Sequence, residues 1–128
     1  PESDPRAEFF EAVYKLTPPG STILAEDLAV RYYALRPLIF SKKDGATFAF
    51  SDHNSLLNWY PKSLRFDEIN RLREDKSAFG QAYWQFADEL GADYVVLETE
   101  GFKGIPAQFS MDKIIFQNHL FTLVKTNL

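Results

Sequence analysis

Residues able to bind a ligand are concentrated in the second quarter of the chain, where basic and acidic side chains lie close to two adjacent aromatic residues. Guanidinium and ammonium groups bind phosphates and carboxylates, and an aromatic ring gives a sugar an apolar surface. We therefore expect a site for a sugar, a phosphorylated headgroup or a carboxylate. The candidate residues are Arg31, Arg36, Lys42, Lys43, Asp44, Trp59 and Tyr60, together with Asp27. The alternative is that Trp59 packs in the core while the lysines are solvated.

The predicted strands suggest where this site lies. Lys43 and Asp44 directly follow the second predicted strand, at the carboxyl end of the sheet, where open α/β folds bind ligands. Trp59 lies one to two helical turns beyond the next helix start, so its indole can fold back over that loop. Arg36 enters the strand at its other end and has to reach along it. We predict that these four side chains approach one another.

No combination of residues predicts a self-sufficient catalytic site. Cysteine is absent, and the two histidines, His53 and His119, fall at a helix start and in a hairpin turn. The turn after the first strand (residues 25–27) is acidic and lacks glycine, which disfavours a phosphate or dinucleotide there. Glu26, Asp27 and Asp44 could converge on a hard cation. Helix capping by Asp27 and a turn at Asp44 explain these residues better, so we expect no catalytic residue, metal or cofactor.

Composition indicates one folded domain spanning residues 1–128. Apolar residues make up 45% of the chain and charged residues 25%, as in globular proteins. A net charge of −4 provides no basic surface for nucleic acid. No apolar run approaches the ~18 residues of a spanning helix. The chain begins at Pro1 and its only methionine is Met111, so we expect either that its N-terminus was processed or that it was cut from a longer protein as its soluble part.

The first half of the chain alternates between predicted helices and strands. Asp4 and Pro5 begin a helix that ends near Leu16. Residues 21–25 and 38–40 are predicted strands, with a helix capped by Asp27 between them. A turn follows at residues 42–45, in which Gly45 supplies a positive φ. Residues 46–50 are either a hairpin strand or a loop. The next helix begins at Ser51 or Asp52 and is broken by Pro61.

The second half contains the clearest patterns. A stripe of apolar residues predicts a helix that buries one face and ends at Gly91; its members are Phe79, Tyr83, Phe86, Ala87 and Leu90. Residues 94–97 are unalternated and apolar, as in a strand covered on both faces. A loop over residues 98–110 and a closing hairpin follow. The order predicts a three-layer α/β sandwich, Rossmann-like or flavodoxin-like, with a mostly parallel sheet of four or five strands and a C-terminal antiparallel hairpin.

Several short runs together resemble the soluble C-terminal domain of a family of uncharacterised multi-spanning membrane proteins, whose membrane part is similar to lipid-linked glycosyltransferases. These runs are residues 17–18 (TP), 27–33 (DLAVRYY), 36–37 (RP), 43–45 (KDG), 57–60 (LNWY), 91–97 (GADYVVL) and 117–124 (QNHLFTLV). The resemblance implies a soluble, extracytoplasmic domain with no assigned activity. Its expected partners are the membrane-embedded part of its own chain, a glycan or a lipid-linked sugar.

Three functional hypotheses follow. The first is a non-catalytic accessory domain of a polytopic membrane protein, binding a glycan or a lipid-linked sugar. The second is a small cytosolic Rossmann-like or flavodoxin-like enzyme that uses a nucleotide or flavin, which the acidic turn at residues 25–27 disfavours. The third is a receiver-like regulatory domain, suggested by the acidic pair Glu26 and Asp27 but lacking the expected later aspartate and lysine.

Overall fold

The fold was analysed in a computed structural model that describes residues 4–27, 29–51, 53–102 and 113–126. One helix precedes the first strand, four helices separate that strand from the second, and a hairpin closes the described part of the chain. The helices are α1 (Pro5–Leu16), α2 (Ala29–Tyr33), α3 (Asp44–Ser51), α4 (His53–Asn70), α5 (Lys76–Leu90) and α6 (Thr99–Phe102). The strands are β1 (Ile23–Leu24), β2 (Tyr94–Glu98), β3 (Ile114–Gln117) and β4 (Phe121–Lys125). None of the described helices combines the length and the apolar character needed to cross a bilayer.

The four strands form one mixed sheet in the order β1-β2-β4-β3. The pair β1 and β2 is parallel, as predicted, with Ile23 opposite Tyr94. The other two pairs, β2 with β4 and β3 with β4, are antiparallel. The α/β class is therefore confirmed, as is the closing hairpin, whereas the mostly parallel Rossmann-like or flavodoxin-like sheet is wrong.

The parallel part of the sheet is small because the predicted strand at residues 38–40 pairs with β1 through only one β-bridge. Leu38 lies beside Ile23 on the free side of β1. The Ile23 amide donates to the Pro37 carbonyl, and the Ile39 amide donates to the Ile23 carbonyl, both at 3.0 Å. Pro37 has no amide hydrogen to add to the ladder. Phe40 then enters the core beneath α4 and α5, which ends the pairing.

The predicted burial of β2 is confirmed, and helices cover both faces of the sheet. On one face, Val95 and Leu97 pack with the aromatic residues of α4 and α5. On the other, Tyr94 and Val96 pack with α1 and α2. The α5 stripe is buried as predicted, with Phe86 1% exposed. Two core layers therefore enclose the parallel strands and leave their carboxyl ends open at one edge.

The local signals at helix ends are also confirmed. The Asp4 carboxylate accepts from the Arg6 amide at 2.9 Å, and Pro5 is the first residue of α1. Gly91 ends α5 in the left-handed conformation, with φ of 76°. The loop predicted over residues 98–110 begins instead with α6, and its remainder, from residue 103, lies outside the described residues.

Residues 44–70 differ from the prediction. Residues 46–50 are neither strand nor loop but part of α3. Gly45 is helical and does not have a positive φ. Helix α4 continues through Pro61, whose ring is exposed, and buries Phe66 and Ile69 in the core. Burial of these later turns outweighs the lost hydrogen bond at Pro61.

Candidate functional site

A pocket opens at the carboxyl ends of the parallel strands; we call it the carboxyl-end cleft. Its volume is about 460 Å³. Glu26 and Asp27 follow β1, Glu98 ends β2, and α5 and α6 form the opposite wall. The lining residues are Glu26, Asp27, Arg73, Lys76, Phe79, Gly80, Tyr83, Val96, Leu97, Glu98, Gly101 and Phe121.

The strand order explains why a cleft forms at this position. After β1 the chain crosses to Leu38 on one side of the strand, and β2 lies on its other side. The connections therefore diverge between β1 and β2. Divergence of this kind opens a crevice at the carboxyl ends of parallel strands, where α/β folds bind their ligands.

Charged side chains of both signs surround the mouth of the cleft. Arg73 donates to both Glu26 oxygens at 2.8 and 2.6 Å, and its guanidinium lies 3.9 Å from the centre of the Phe79 ring. The hydrogen bond to Glu26 raises the pKa of Arg73, so this residue stays charged. Lys76 pairs with Glu100 at 2.8 Å. Glu98 is exposed and makes no hydrogen bond or ion pair with any residue that the structure describes.

Tyr83 forms the floor of the cleft. The residue is 2% exposed, and its ring stacks on Phe79 with centroids 5.5 Å apart. Its hydroxyl has no hydrogen-bond partner among the described residues. No fully enclosed side-chain oxygen of the described residues lacks a partner, so this hydroxyl is not sealed in the core; Tyr83 lines both the cleft and a smaller cavity of about 180 Å³. Burial, with the negative charge of Glu26, raises the pKa of Tyr83 well above its usual value. The phenol therefore stays protonated and can donate.

Two glycines close one end of the cleft. A Cβ atom on Gly101 would lie 2.8 Å from the Lys76 carbonyl oxygen, and one on Gly80 would lie 3.3 Å from the Gly101 carbonyl oxygen. Side chains at these positions would push α6 away from α5. The close backbone contact between α5 and α6 therefore requires glycine at position 101 and favours it at position 80.

Three of the predicted site residues lie around a second cavity, of about 260 Å³, which we call the Trp59 pocket. Arg31 binds the Asp44 carboxylate through two hydrogen bonds of 3.0 Å. The Trp59 indole donates to the Ser41 carbonyl at 2.8 Å and stacks on Phe40. The lining residues are Arg31, Leu38, Ile39, Phe40, Asp44, Phe48, Ser55, Asn58, Trp59 and Lys62.

The predicted approach of Arg36 to this group is wrong. Its guanidinium is buried and binds the C-terminal end of α1, with donors to the Thr17 hydroxyl at 2.9 Å and to the Tyr14 carbonyl at 2.9 Å. The physical reason is the direction of the chain: Arg36 enters the segment that Asp44 follows, so the two lie at opposite ends of it. Arg36 supports the fold and does not face either cavity.

The remaining predicted residues are dispersed. Lys43 and Tyr60 are exposed, and neither is among the described residues lining the Trp59 pocket. Lys43 lines a smaller cavity of about 180 Å³ beside Glu26. Asp27 lines the carboxyl-end cleft, caps α2 through the Ala29 amide at 2.9 Å and pairs with Arg6.

The three carboxylates considered for a hard cation do not converge. Glu26, Asp27 and Asp44 each pair with a different arginine, namely Arg73, Arg6 and Arg31. Within the described ranges, no three acidic or histidine side chains are placed to hold a metal ion. The capping role predicted for Asp27 is confirmed. The turn predicted at residues 42–45 is confirmed at Lys42 and Lys43, where the Asp44 amide donates to the Ser41 carbonyl at 3.2 Å, and Asp44 then begins α3.

Comparison with protein-family models, with curated proteins and with solved structures found no match for this chain. The chemistry of the two cavities is therefore the basis for a functional proposal. Sequence reasoning missed Arg73 and Glu98, which carry no local signal. It assigned Tyr83 only to the buried stripe, although a hydroxyl among phenylalanines was a visible exception.

The position of Trp59 depends on Gly45. A Cβ atom on Gly45 would lie 2.3 Å from the Cη2 atom of the indole. We expect Gly45→Ala to displace the indole and lower the free energy of unfolding by about 1–3 kcal/mol, as overpacking does. A urea titration followed by tryptophan fluorescence measures both effects.

A Trp59→Leu background provides the control for this substitution. Without the indole, alanine should be neutral or stabilising, because it is a better helix former than glycine by about 1 kcal/mol. Equal destabilisation in both backgrounds would show that the contact between Gly45 and Trp59 is not the cause.

Proposed function

We propose that this domain is a non-catalytic binding module whose carboxyl-end cleft holds a sugar. The observation that carries the proposal is the Tyr83 hydroxyl, which ends a side chain that is 2% exposed and lines the cleft, and which has no partner among the described residues. Because this hydroxyl reaches an open cavity, water can bond it in the free protein, and a ligand hydroxyl in the cleft can take the place of that water.

The polar groups around Tyr83 suit a polyhydroxylated ligand. Each sugar hydroxyl both donates and accepts, so its site needs acceptors and donors close together. Glu26 and Glu98 supply acceptors, while Tyr83 and Arg73 supply donors. Arg73 is fixed by Glu26 and by the side-chain oxygen of Asn70, which leaves one oriented N–H group, on Nη1, for a ligand.

The apolar part of the cleft and its volume fit the same ligand class. Val96, Leu97 and Phe121 offer apolar surface against which the C–H face of a sugar ring could pack. A volume of about 460 Å³ is within the range of small-molecule sites. The free carboxylate of Glu98 disfavours phosphate-bearing nucleotides, which it would repel.

The resemblance to domains of glycosyltransferase-like membrane proteins is compatible with this ligand class. In that setting the domain would be an extracytoplasmic accessory domain, and its ligand would be a glycan or the sugar of a lipid-linked donor. Its partner would be the membrane-embedded part of the same chain.

Tyr83→Phe tests the proposal because it removes only the hydroxyl. We expect monosaccharides or disaccharides from a panel to shift the backbone amide signals of residues 26, 83 and 98 in NMR titrations. Affinity should fall about tenfold in Tyr83→Phe, the effect of losing one hydrogen bond in a buried site.

Tyr94→Phe is the matched control. Tyr94 is also buried, but it packs on the opposite face of the sheet. Its substitution should leave sugar affinity unchanged. Equal weakening in both variants, or no sugar that shifts the cleft signals, would contradict the proposed function.

A further inference from the structure

A partly buried lysine without a counter-ion faces the Trp59 pocket. Lys62, on α4, makes no hydrogen bond or ion pair with any residue that the structure describes. The other charged residues lining this pocket are Arg31 and Asp44, which neutralise each other through two hydrogen bonds of 3.0 Å. Among the residues that the structure describes, the pocket therefore carries one uncompensated positive charge.

Unused hydrogen-bond donors surround that charge. A guanidinium has five N–H donors, and Asp44 occupies two of those of Arg31. The other three make no hydrogen bond within the described ranges. Asn58 lies one helical turn before Lys62 on α4, and its amide is also without a partner among the described residues. Three separate side chains thus present donors to one cavity.

The wall of the pocket formed by Trp59 is held in place by several other residues. Trp59 forms one wall, fixed by its hydrogen bond to the Ser41 carbonyl at 2.8 Å and by its stacking on Phe40. Gly45 gives the indole the space it occupies. Lys42 lies 5.6 Å from the indole ring but is paired with Asp67 at 2.9 Å, so it adds no free charge.

From this arrangement we propose that the Trp59 pocket binds a singly charged oxyanion. Lys62 forms the ion pair, Asn58 and Arg31 donate hydrogen bonds to the oxygens, and Trp59 contacts the apolar part of the ligand. The single positive charge matches one negative charge. Two ligand sources share this chemistry: the carboxylate of a small organic acid and the phosphodiester of a headgroup. The pocket shares no lining residue with the carboxyl-end cleft, so this site does not depend on sugar binding.

The experiment is an NMR titration that follows the Trp59 indole N–H signal. The probes are acetate and dimethyl phosphate, with acetamide and trimethyl phosphate as their uncharged counterparts. We expect the indole signal to shift with at least one anion and with neither uncharged compound, with a Kd on the order of millimolar for probes this small. The anion that binds more tightly identifies the ligand source.

Two lysine variants distinguish a site from general charge attraction. Lys62→Gln should weaken anion binding about tenfold, because it removes the charge facing the pocket. Lys43→Gln removes the same charge from an exposed lysine outside the pocket and should leave binding unchanged. Equal weakening in the two variants would overturn the proposal.

A third variant places a negative charge of the chain itself beside Lys62. Asn58→Asp places a carboxylate four residues before Lys62 on the same helix, where the two charges can pair. We expect it to abolish anion binding while the far-ultraviolet circular dichroism spectrum stays unchanged. Retained anion binding in Asn58→Asp would overturn the proposal. So would an indole signal that neither anion shifts at concentrations up to about 0.1 M, which is 100 times the expected Kd.

Discussion

Replacing Phe86 with alanine is expected to lower the free energy of unfolding by about 3–5 kcal/mol. Phe86 is 1% exposed and lies at the centre of the core between the sheet and helices α4 and α5. Its ring contacts Phe40 edge-on, with centroids 5.5 Å apart, and lies 6.5 Å from Phe66. Alanine would leave a cavity between the rings of Phe40 and Phe66, which belong to two different parts of the chain. Those parts are held by other contacts and cannot close the cavity fully.

A urea titration followed by circular dichroism measures this loss. Leu64→Ala is the control, because Leu64 lies on α4 with 49% of its surface exposed and should lose less than about 1 kcal/mol. If Phe86→Ala cost no more than Leu64→Ala, the aromatic stripe of α5 would not face the core as described.

The elements that sequence reasoning predicted correctly are those whose signals are local. Asp4 and Pro5 specify a helix start through one side-chain hydrogen bond and one fixed φ. The α5 stripe repeats at helical spacing, and Gly91 adopts the left-handed conformation that ends the helix. β2 is an unbroken apolar run because both of its faces are covered. Each of these features depends on residues within one element.

The prediction of the fold was wrong where contacts between distant residues override the local preference for a secondary structure. Pro61 disfavours a helix interior, yet burial of Phe66 and Ile69 against α5 holds α4 together across it. Residues 38–40 have strand character, but Phe40 turns into the aromatic core after a single bridge. Neither packing interaction is visible in the sequence around the residue that it affects.

The same error about Pro61 concealed part of the Trp59 pocket. If the helix ended at Pro61, as predicted, Lys62 would not lie on the same helix as Asn58 and Trp59. In the continuous helix, Asn58 and Lys62 are four residues apart and line the pocket beside Trp59. Arg31, Asp44 and Trp59 were predicted together because they flank one segment of the sheet. Tyr83 was assigned to the core because periodicity locates a ring but not the environment of its hydroxyl.

Arg36→Ala is expected to lower the free energy of unfolding by about 2–4 kcal/mol, since it removes a buried guanidinium that donates several hydrogen bonds. Arg36 is 5% exposed. Its guanidinium donates to the Tyr14 carbonyl at 2.9 Å, to the Thr17 carbonyl at 2.8 Å and to the Leu35 carbonyl at 3.1 Å. The first two belong to the end of α1, where carbonyls lack helical partners and carry a partial negative charge.

The conservative variant separates this hydrogen-bonding role from simple packing. Arg36→Lys keeps the positive charge near the end of α1 but loses the planar fork, so it cannot reach acceptors on both Tyr14 and Leu35 with the same geometry. We expect a loss of about half that of Arg36→Ala, because the charge still interacts with the helix end. Arg71→Ala, at an exposed arginine, should lose less than about 0.5 kcal/mol in the same titration. A loss in Arg36→Ala as small as that in Arg71→Ala would show that water replaces the guanidinium at no cost. That result would contradict the structural role of Arg36, and its guanidinium could then be available to a ligand.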